Sequence, residues 1–146
     1  MIEAIFTAGG LTTRKPCVYV IEIACSNMTW VYVGRTRTSN KTGMSPPYKR
    51  LALHLAKRGK TQSCIWSNHP KPLSRRALRE ARITFRAVFV PGKSVQKAEK
   101  WLRWYLQRKC RRTLLNREPV PRREPCLEED IKESLRPLLA ARRHIG

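Results

Sequence analysis

Glu99 lies in a helix-patterned segment, roughly 75° from the centre of the apolar stripe, so it flanks the core rather than facing away from it. A half-buried carboxylate with Lys97, Lys100 and Arg103 around it in sequence has two uses. It can pair with a neighbouring arginine, or it can be a single oxygen ligand for a hard cation such as Mg²⁺, which binds through one or two carboxylates plus water and phosphate oxygens. Earlier in the chain Arg50, His54 and Lys57 recur at i, i+4, i+7 and line one flank of another helical segment. An arginine so placed suits bidentate capture of a phosphate and stabilisation of charge developing on a pentavalent phosphorus. A histidine, which titrates near neutral pH, can orient a hydroxyl or accept its proton. The same three side chains would also make an ordinary solvated basic face. Tyr19 and Tyr32, one on each of two strand-patterned runs, add phenols that either project at the end of a sheet or pack into a core.

The rest of the composition narrows these options. The chain has 146 residues with 31 Lys+Arg against 10 Asp+Glu, a formal net charge of +21. Glu3, Glu22, Glu80 and Glu99 are the only carboxylates before residue 118, and Asp130 is the only aspartate. Two-metal nucleases, EF-hands and carboxylate-pair hydrolases need several convergent acids, which the body of this chain cannot supply. The hydrophobic fraction is 41% with four Trp, enough for a folded domain rather than a disordered polycation.

Such a charge implies a polyanionic partner, nucleic acid first, because Lys and Arg displace counterions condensed on a phosphate backbone. Between Glu22 and Glu80 there is no acid. That interval holds Arg35, Arg37, Lys41, Lys49, Arg50, Lys57, Arg58, Lys60, Lys71, Arg75, Arg76 and Arg79, a one-signed run that reads as a binding surface. No apolar run is long enough to span a bilayer and the opening stretch does not look like a signal peptide. An intracellular, cytoplasmic protein is therefore expected. Cys17, Cys25, Cys64, Cys110 and Cys126 are odd in number and form no Cys-x-x-Cys pair, which favours free thiols.

The elements that must position these groups follow from pattern. Cys17–Ile23 and Trp30–Gly34 are β-branched apolar runs expected to form a hairpin with a loop of about six residues. Ser45-Pro46 starts a helix that should run to about Arg58, with Tyr48, Leu51, Ala52 and Leu55 as its apolar face. A short helical piece is expected around Ser74–Arg82, and Ile83–Val90 is a third strand ended by Pro91-Gly92. Ser94 can cap a helix from Val95 to about Lys109 with Val95, Ala98, Leu102, Tyr105 and Leu106 inward. From Arg117 the composition changes to proline-containing and acidic, with a helical segment from Leu127 to His144 broken near Pro137. The expectation is an α+β fold, a small three-stranded and mainly antiparallel sheet flanked by helices. Residues 1–16 would be an N-terminal extension, 17–116 the main domain, and 117–146 a linker and C-terminal helical appendage packed on the body or on another subunit.

In this order the pieces resemble the GIY-YIG nuclease family. The first motif reads Cys17-Val18-Tyr19 and the second Tyr32-Val33-Gly34, followed by Arg35-Thr36. The arginine helix reads Tyr48-Lys-Arg50-Leu-Ala-Leu-His54, the glutamate helix Ala98-Glu99-Lys-Trp101-Leu, and the closing asparagine Leu115-Asn116. Cys17 stands where the family usually has Gly, and the loop between Gly34 and Arg50 is longer than in many members. The resemblance implies a metal-dependent endonuclease that hydrolyses DNA phosphodiesters. In that frame Glu99 holds one Mg²⁺ or Mn²⁺ and Tyr19 is the general base or orients the water. His54 hydrogen-bonds to a phenol, Tyr32 supports the site, Arg50 stabilises the transition-state phosphate, and Asn116 braces the local structure. One metal on one carboxylate is enough where arginine and a basic surface supply the remaining positive charge.

Arg35, Arg37, Lys41, Lys49, Lys57, Arg58, Lys60, Arg75, Arg76 and Arg79 are the expected contacts to DNA, which should be double-stranded. If both strands are cut, dimerisation is expected, with the tail from Leu127 as the contact. Two other readings compete: a non-catalytic DNA- or RNA-binding module on the same fold, and a basic ribosomal or RNA-associated protein. Neither needs Tyr19, Tyr32, Arg50, His54 and Glu99 together.

Overall fold

The valine and isoleucine runs form strands because branched side chains pack well on a pleated surface. In the computed structural model, which describes residues 2–6 (backbone only), 15–25, 28–36, 80–116 and 118–139, they build one mixed sheet. Its strands are β1 (Ile2–Phe6), β2 (Cys17–Cys25), β3 (Met28–Arg35), β4 (Arg82–Phe89) and the two-residue β5 (Thr113–Leu114). The order is β1-β4-β2-β3-β5. β2 runs antiparallel to both β3 and β4, while β1 joins β4 and β5 joins β3 in parallel.

The α+β class is as expected, but among the described residues the expectation of three strands is corrected to five. The missed strands are both parallel edges, which leave no turn signature in the sequence. Ile2–Phe6, assigned to an extension, instead adds a strand to the sheet. The hairpin is also tighter than expected. Pairing of β2 with β3 continues to Cys25↔Met28, so two residues rather than six connect them.

Alternation along the strands makes two cores. One face carries Val18, Val20, Val31, Val33, Val88 and Val90, and the other carries Tyr19, Ile21, Ile23, Trp30, Ile83, Phe85 and Ala87, all buried. On the valine face lies helix α1 (Val95–Trp104), entered through a 3₁₀ turn at Gly92–Ser94 and continued by a π-helical turn at Tyr105–Lys109. Ser94 makes no side-chain cap. Its own N–H donates to the Pro91 carbonyl at 2.8 Å, because the 3₁₀ turn already winds the entry. The buried side of α1 includes Trp101 and Trp104, which lie outside the predicted face.

The tail explains why. Leu127, Ile131, Leu135 and Leu138, on and beside α2 (Glu129–Ser134) and α3 (Arg136–Leu139), join the valine-face core. Trp101 Nε1 donates to Glu124 Oε1 at 2.9 Å, and Lys132 Nζ sits 5.8 Å from the Trp101 ring centroid. The tail's apolar side is thus turned to its own body. Its helical break falls at Leu135, ahead of Pro137, which sits in the first turn of α3 where proline is tolerated. Among the described residues no helix is long and apolar enough to cross a membrane. Cys17, Cys25, Cys110 and Cys126 are thiols.

Candidate functional site

The two short strand motifs meet at one end of the sheet. In the β2–β3 register Tyr19 faces Gly34 and Val18 faces Arg35. Thr36 closes the open end of the hairpin: its N–H donates to the Cys17 carbonyl at 3.0 Å and its Oγ1 accepts from the Cys17 N–H at 3.0 Å. Cys17 is regular strand and fully buried, so a side chain where the family carries Gly simply packs. Tyr19 is 2% exposed, with its ring 5.2 Å from that of Phe85. It lies across Gly34, where a Cβ would come within 2.4 Å of its Cζ and hydroxyl. The glycine of the second motif is therefore fixed by the tyrosine of the first.

Asn116 holds the same strand from the other side. Its Oδ1 accepts from the Val33 N–H at 2.9 Å and its Nδ2 donates to the Val33 carbonyl at 2.7 Å. The backbone ladder to β5 ends just before, where the Leu115 N–H donates to the Val31 carbonyl at 2.8 Å. The side-chain amide acts as one further rung. A primary amide is suited to this because it presents one acceptor and one donor, as a backbone peptide does.

Glu99, on α1, reaches the residue after the second motif. Its Oε2 pairs with Arg35 Nε at 2.6 Å, and its Oε1 lies 3.8 Å from Arg103 Nε. Arg103 is buried and leans toward Glu118, with Nη2 3.1 Å from Glu118 Oε2, while its Nε finds no acceptor. The result is a row Arg35–Glu99–Arg103–Glu118 of alternating charge. A 2.6 Å ion pair ordinarily depresses a carboxyl pKa. Here burial outweighs it and pushes Glu99 above its ordinary 4.5, despite Arg35 and Arg103 and with some help from Glu118.

A pH effect on stability follows. The folded state holds the Glu99 proton more tightly than the unfolded chain does, so this group's contribution is present below 4.5 and is lost as pH rises through the raised value. Glu99→Gln has no such loss. Its stability relative to wild type should be better at pH 7 than at pH 4 in urea titrations, and the reverse sign would mean that the ion pairs outweigh burial.

The structure brings together Tyr19, Gly34, Arg35, Glu99 and Asn116 around the end of β3. It does not bring Tyr19 and Tyr32 to Glu99 directly. Both tyrosines belong to the isoleucine-rich core, while α1 covers the opposite, valine face. Arg50 and His54, and the cations Arg37, Lys41, Lys49, Lys57, Arg58, Lys60, Arg75, Arg76 and Arg79, lie outside the described residues. Arg35, expected as a contact to DNA, is 28% exposed at its side chain and is the main counterion of Glu99. Arg103 is one of the cations that the sequence places around Glu99, while Glu118 is a member of the group that the sequence did not single out. The i,i+4 spacing of Glu99 and Arg103 is the sequence signal for their pairing.

Among the described residues no three of His, Cys, Asp and Glu gather to hold a metal. Glu99 alone, with one oxygen on Arg35 and the other facing Arg103, does not fit a divalent cation in this arrangement, since two guanidinium charges already face it. Compared with known proteins, the chain matches no family model, no curated protein and no solved structure.

Proposed function

We propose that the chain is an endonuclease of the GIY-YIG type that hydrolyses DNA phosphodiester bonds. The observation that supports this reading most is the assembly at the end of β3. Four separate stretches of sequence, carrying Tyr19, Gly34-Arg35, Glu99 and Asn116, converge there, and Asn116 braces the strand as the resemblance implies.

In this reading the basic stretch from Arg35 to Arg79 draws in the phosphate backbone and Arg35 meets it at the mouth of the site. Asn116 and Tyr19 fix the strand that carries Arg35. Tyr19, at 2% exposure, is better placed to position that strand than to take a proton from a bound water. Arg50 supplies charge to the transition-state phosphate and His54 accepts the proton of the attacking water. Mg²⁺ or Mn²⁺ is the cofactor that the resemblance implies, and Glu99, paired with Arg35, is not arranged to hold it.

The test is nicking of supercoiled plasmid by the purified chain with Mg²⁺ or Mn²⁺. Arg50→Ala should lose at least about 100-fold in rate while retaining DNA in a gel-shift assay, the size expected when a group that stabilises developing charge is removed. Undiminished nicking would end the assignment. The second reading, a non-catalytic nucleic-acid-binding module, is favoured by the placement of the two tyrosines and Glu99 on opposite faces of the sheet. It predicts binding that weakens steeply with salt and no cleavage with any divalent metal.

A further inference from the structure

We propose that Arg108, Lys109 and Arg111, exposed on and just after the π-helical turn that continues α1, form a contact surface for the phosphate backbone of a nucleic acid, away from the Glu99 cluster. This rests on the nucleic-acid partner that both readings above share, and it needs no catalysis.

The sequence holds a second interval without acid. Between Glu99 and Glu118 stand seven Lys and Arg side chains and no carboxylate. The structure sorts them. Arg103 is buried beside Glu99 and Glu118, and Arg112 is paired with Glu22 of β2. Arg108, Lys109 and Arg111 are exposed, and among the described residues no carboxylate forms an ion pair with them. Glu124, which feels the Lys109 charge, is already bonded by Trp101 and Lys132. Three unanswered positive charges within four residues repel one another, and a polyanion relieves that repulsion while releasing its own counterions.

The backbone fixes this display. The Cys110 N–H donates to the Tyr105 carbonyl at 3.1 Å, and the Arg112 N–H returns to the Leu106 carbonyl at 2.8 Å. Lys109 Nζ lies 5.7 Å from the Trp104 ring centroid, and Arg112 ties the other side of the turn to the sheet through Glu22. Between these anchors Arg111 takes φ 51°, the only left-handed non-glycine residue among those described. Glycine closes a helix in this way without steric cost. An arginine carries strain that the closure does not require, so the position uses its side chain. The helix dipole favours Arg108 and Lys109 in the last turn, but it gives no reason for a third cation beyond the cap in a strained conformation.

The surface is also separate from the assembly at the end of β3. Thr113, two residues past Arg111, pairs with Trp30 near the start of that strand, whereas Glu99 reaches Arg35 at its end. Phosphates held at the turn therefore anchor the nucleic acid without occupying the region of Arg35.

The test measures binding of the full chain to a fluorescent DNA duplex of arbitrary sequence as salt rises, with divalent metal chelated so that binding alone is read. Each phosphate contact steepens the fall of log affinity with log salt by about 0.9. Arg111→Gly should make the slope shallower by about 1, and the triple variant Arg108→Gln, Lys109→Gln, Arg111→Gly by about 2 to 3, with at least about tenfold weaker binding at a fixed moderate salt. Arg136→Gln, which removes one charge that Glu133 already answers, should leave the slope unchanged. In urea Arg111→Gly should unfold at or above the wild-type midpoint, because glycine relieves the left-handed strain.

A triple variant with the wild-type slope overturns the surface and leaves the nucleic-acid partner standing. Equal losses from Arg136→Gln and Arg111→Gly assign the effect to net charge and overturn it as well. A lowered urea midpoint for Arg111→Gly gives that side chain a place in the fold and removes it from the surface. Absence of wild-type binding at every salt concentration removes the nucleic-acid reading itself, and the surface with it.

Discussion

Gly34→Ala should cost about 3 kcal/mol of folding stability, the upper part of the range for forcing extra volume into a packed core. The new methyl would stand 2.4 Å from the Cζ and hydroxyl of Tyr19, and that ring has nowhere to retreat. It is 2% exposed and packs against Phe85, itself fully buried. The readout is the urea midpoint at constant slope. A double-mutant cycle makes the cause specific. Tyr19→Ala is itself destabilising through the cavity it leaves, but in that background Gly34→Ala should cost less than about 1 kcal/mol, since the obstructing ring is gone. An undiminished cost in the double variant would place the strain elsewhere than in the Tyr19–Gly34 contact.

Asn116→Ala should cost about 2–3 kcal/mol, because two partly buried backbone groups of Val33 lose their only side-chain partner at once. Asn116→Asp separates the two bonds. The carboxylate keeps an acceptor for the Val33 N–H but faces the Val33 carbonyl without a donor. Its protonated form would restore that donor, so folding should favour the proton. The variant should then be least stable at neutral pH and gain stability on acidification toward pH 4, where wild type has no matching change at this position. A flat difference between the two from pH 7 to pH 4 would mean that the amide nitrogen contributes little. Under the proposed function, either variant should nick DNA less as its stability falls, since the strand so braced carries Gly34 and Arg35.

Much of this architecture could be read from the residues, and the exceptions share a physical origin. β2, β3 and β4 were legible because each is a branched apolar run bounded by turn residues, and the helix from Val95 was legible from its 3.6-residue period. β1 and β5 were not. A parallel edge strand pairs with a partner far along the chain, and two residues of β5 carry no pattern at all. The flank position of Glu99 followed from helical angle, yet its choice of Arg35 did not, because that pairing depends on where α1 crosses the sheet. Trp101 and Trp104 were left off the buried face of α1 because only the tail's return across it makes that side interior. The bracing role of Asn116 came with the family resemblance, and its geometry required the structure.

The placement of β1 has a consequence for how the chain is made. Ile2 pairs with Ile83 and Phe6 with Ala87, so β1 is synthesised about 80 residues before its partner exists. The β2–β3 hairpin, closed by only two residues, can form early and offer β2 as a template for β4. Only then is there an edge for Ile2–Phe6. Such distant pairing slows folding relative to the local hairpin and leaves an apolar segment unpaired on the nascent chain during that interval. For β1 and its partner β4, the order of synthesis and the order of assembly run in different directions.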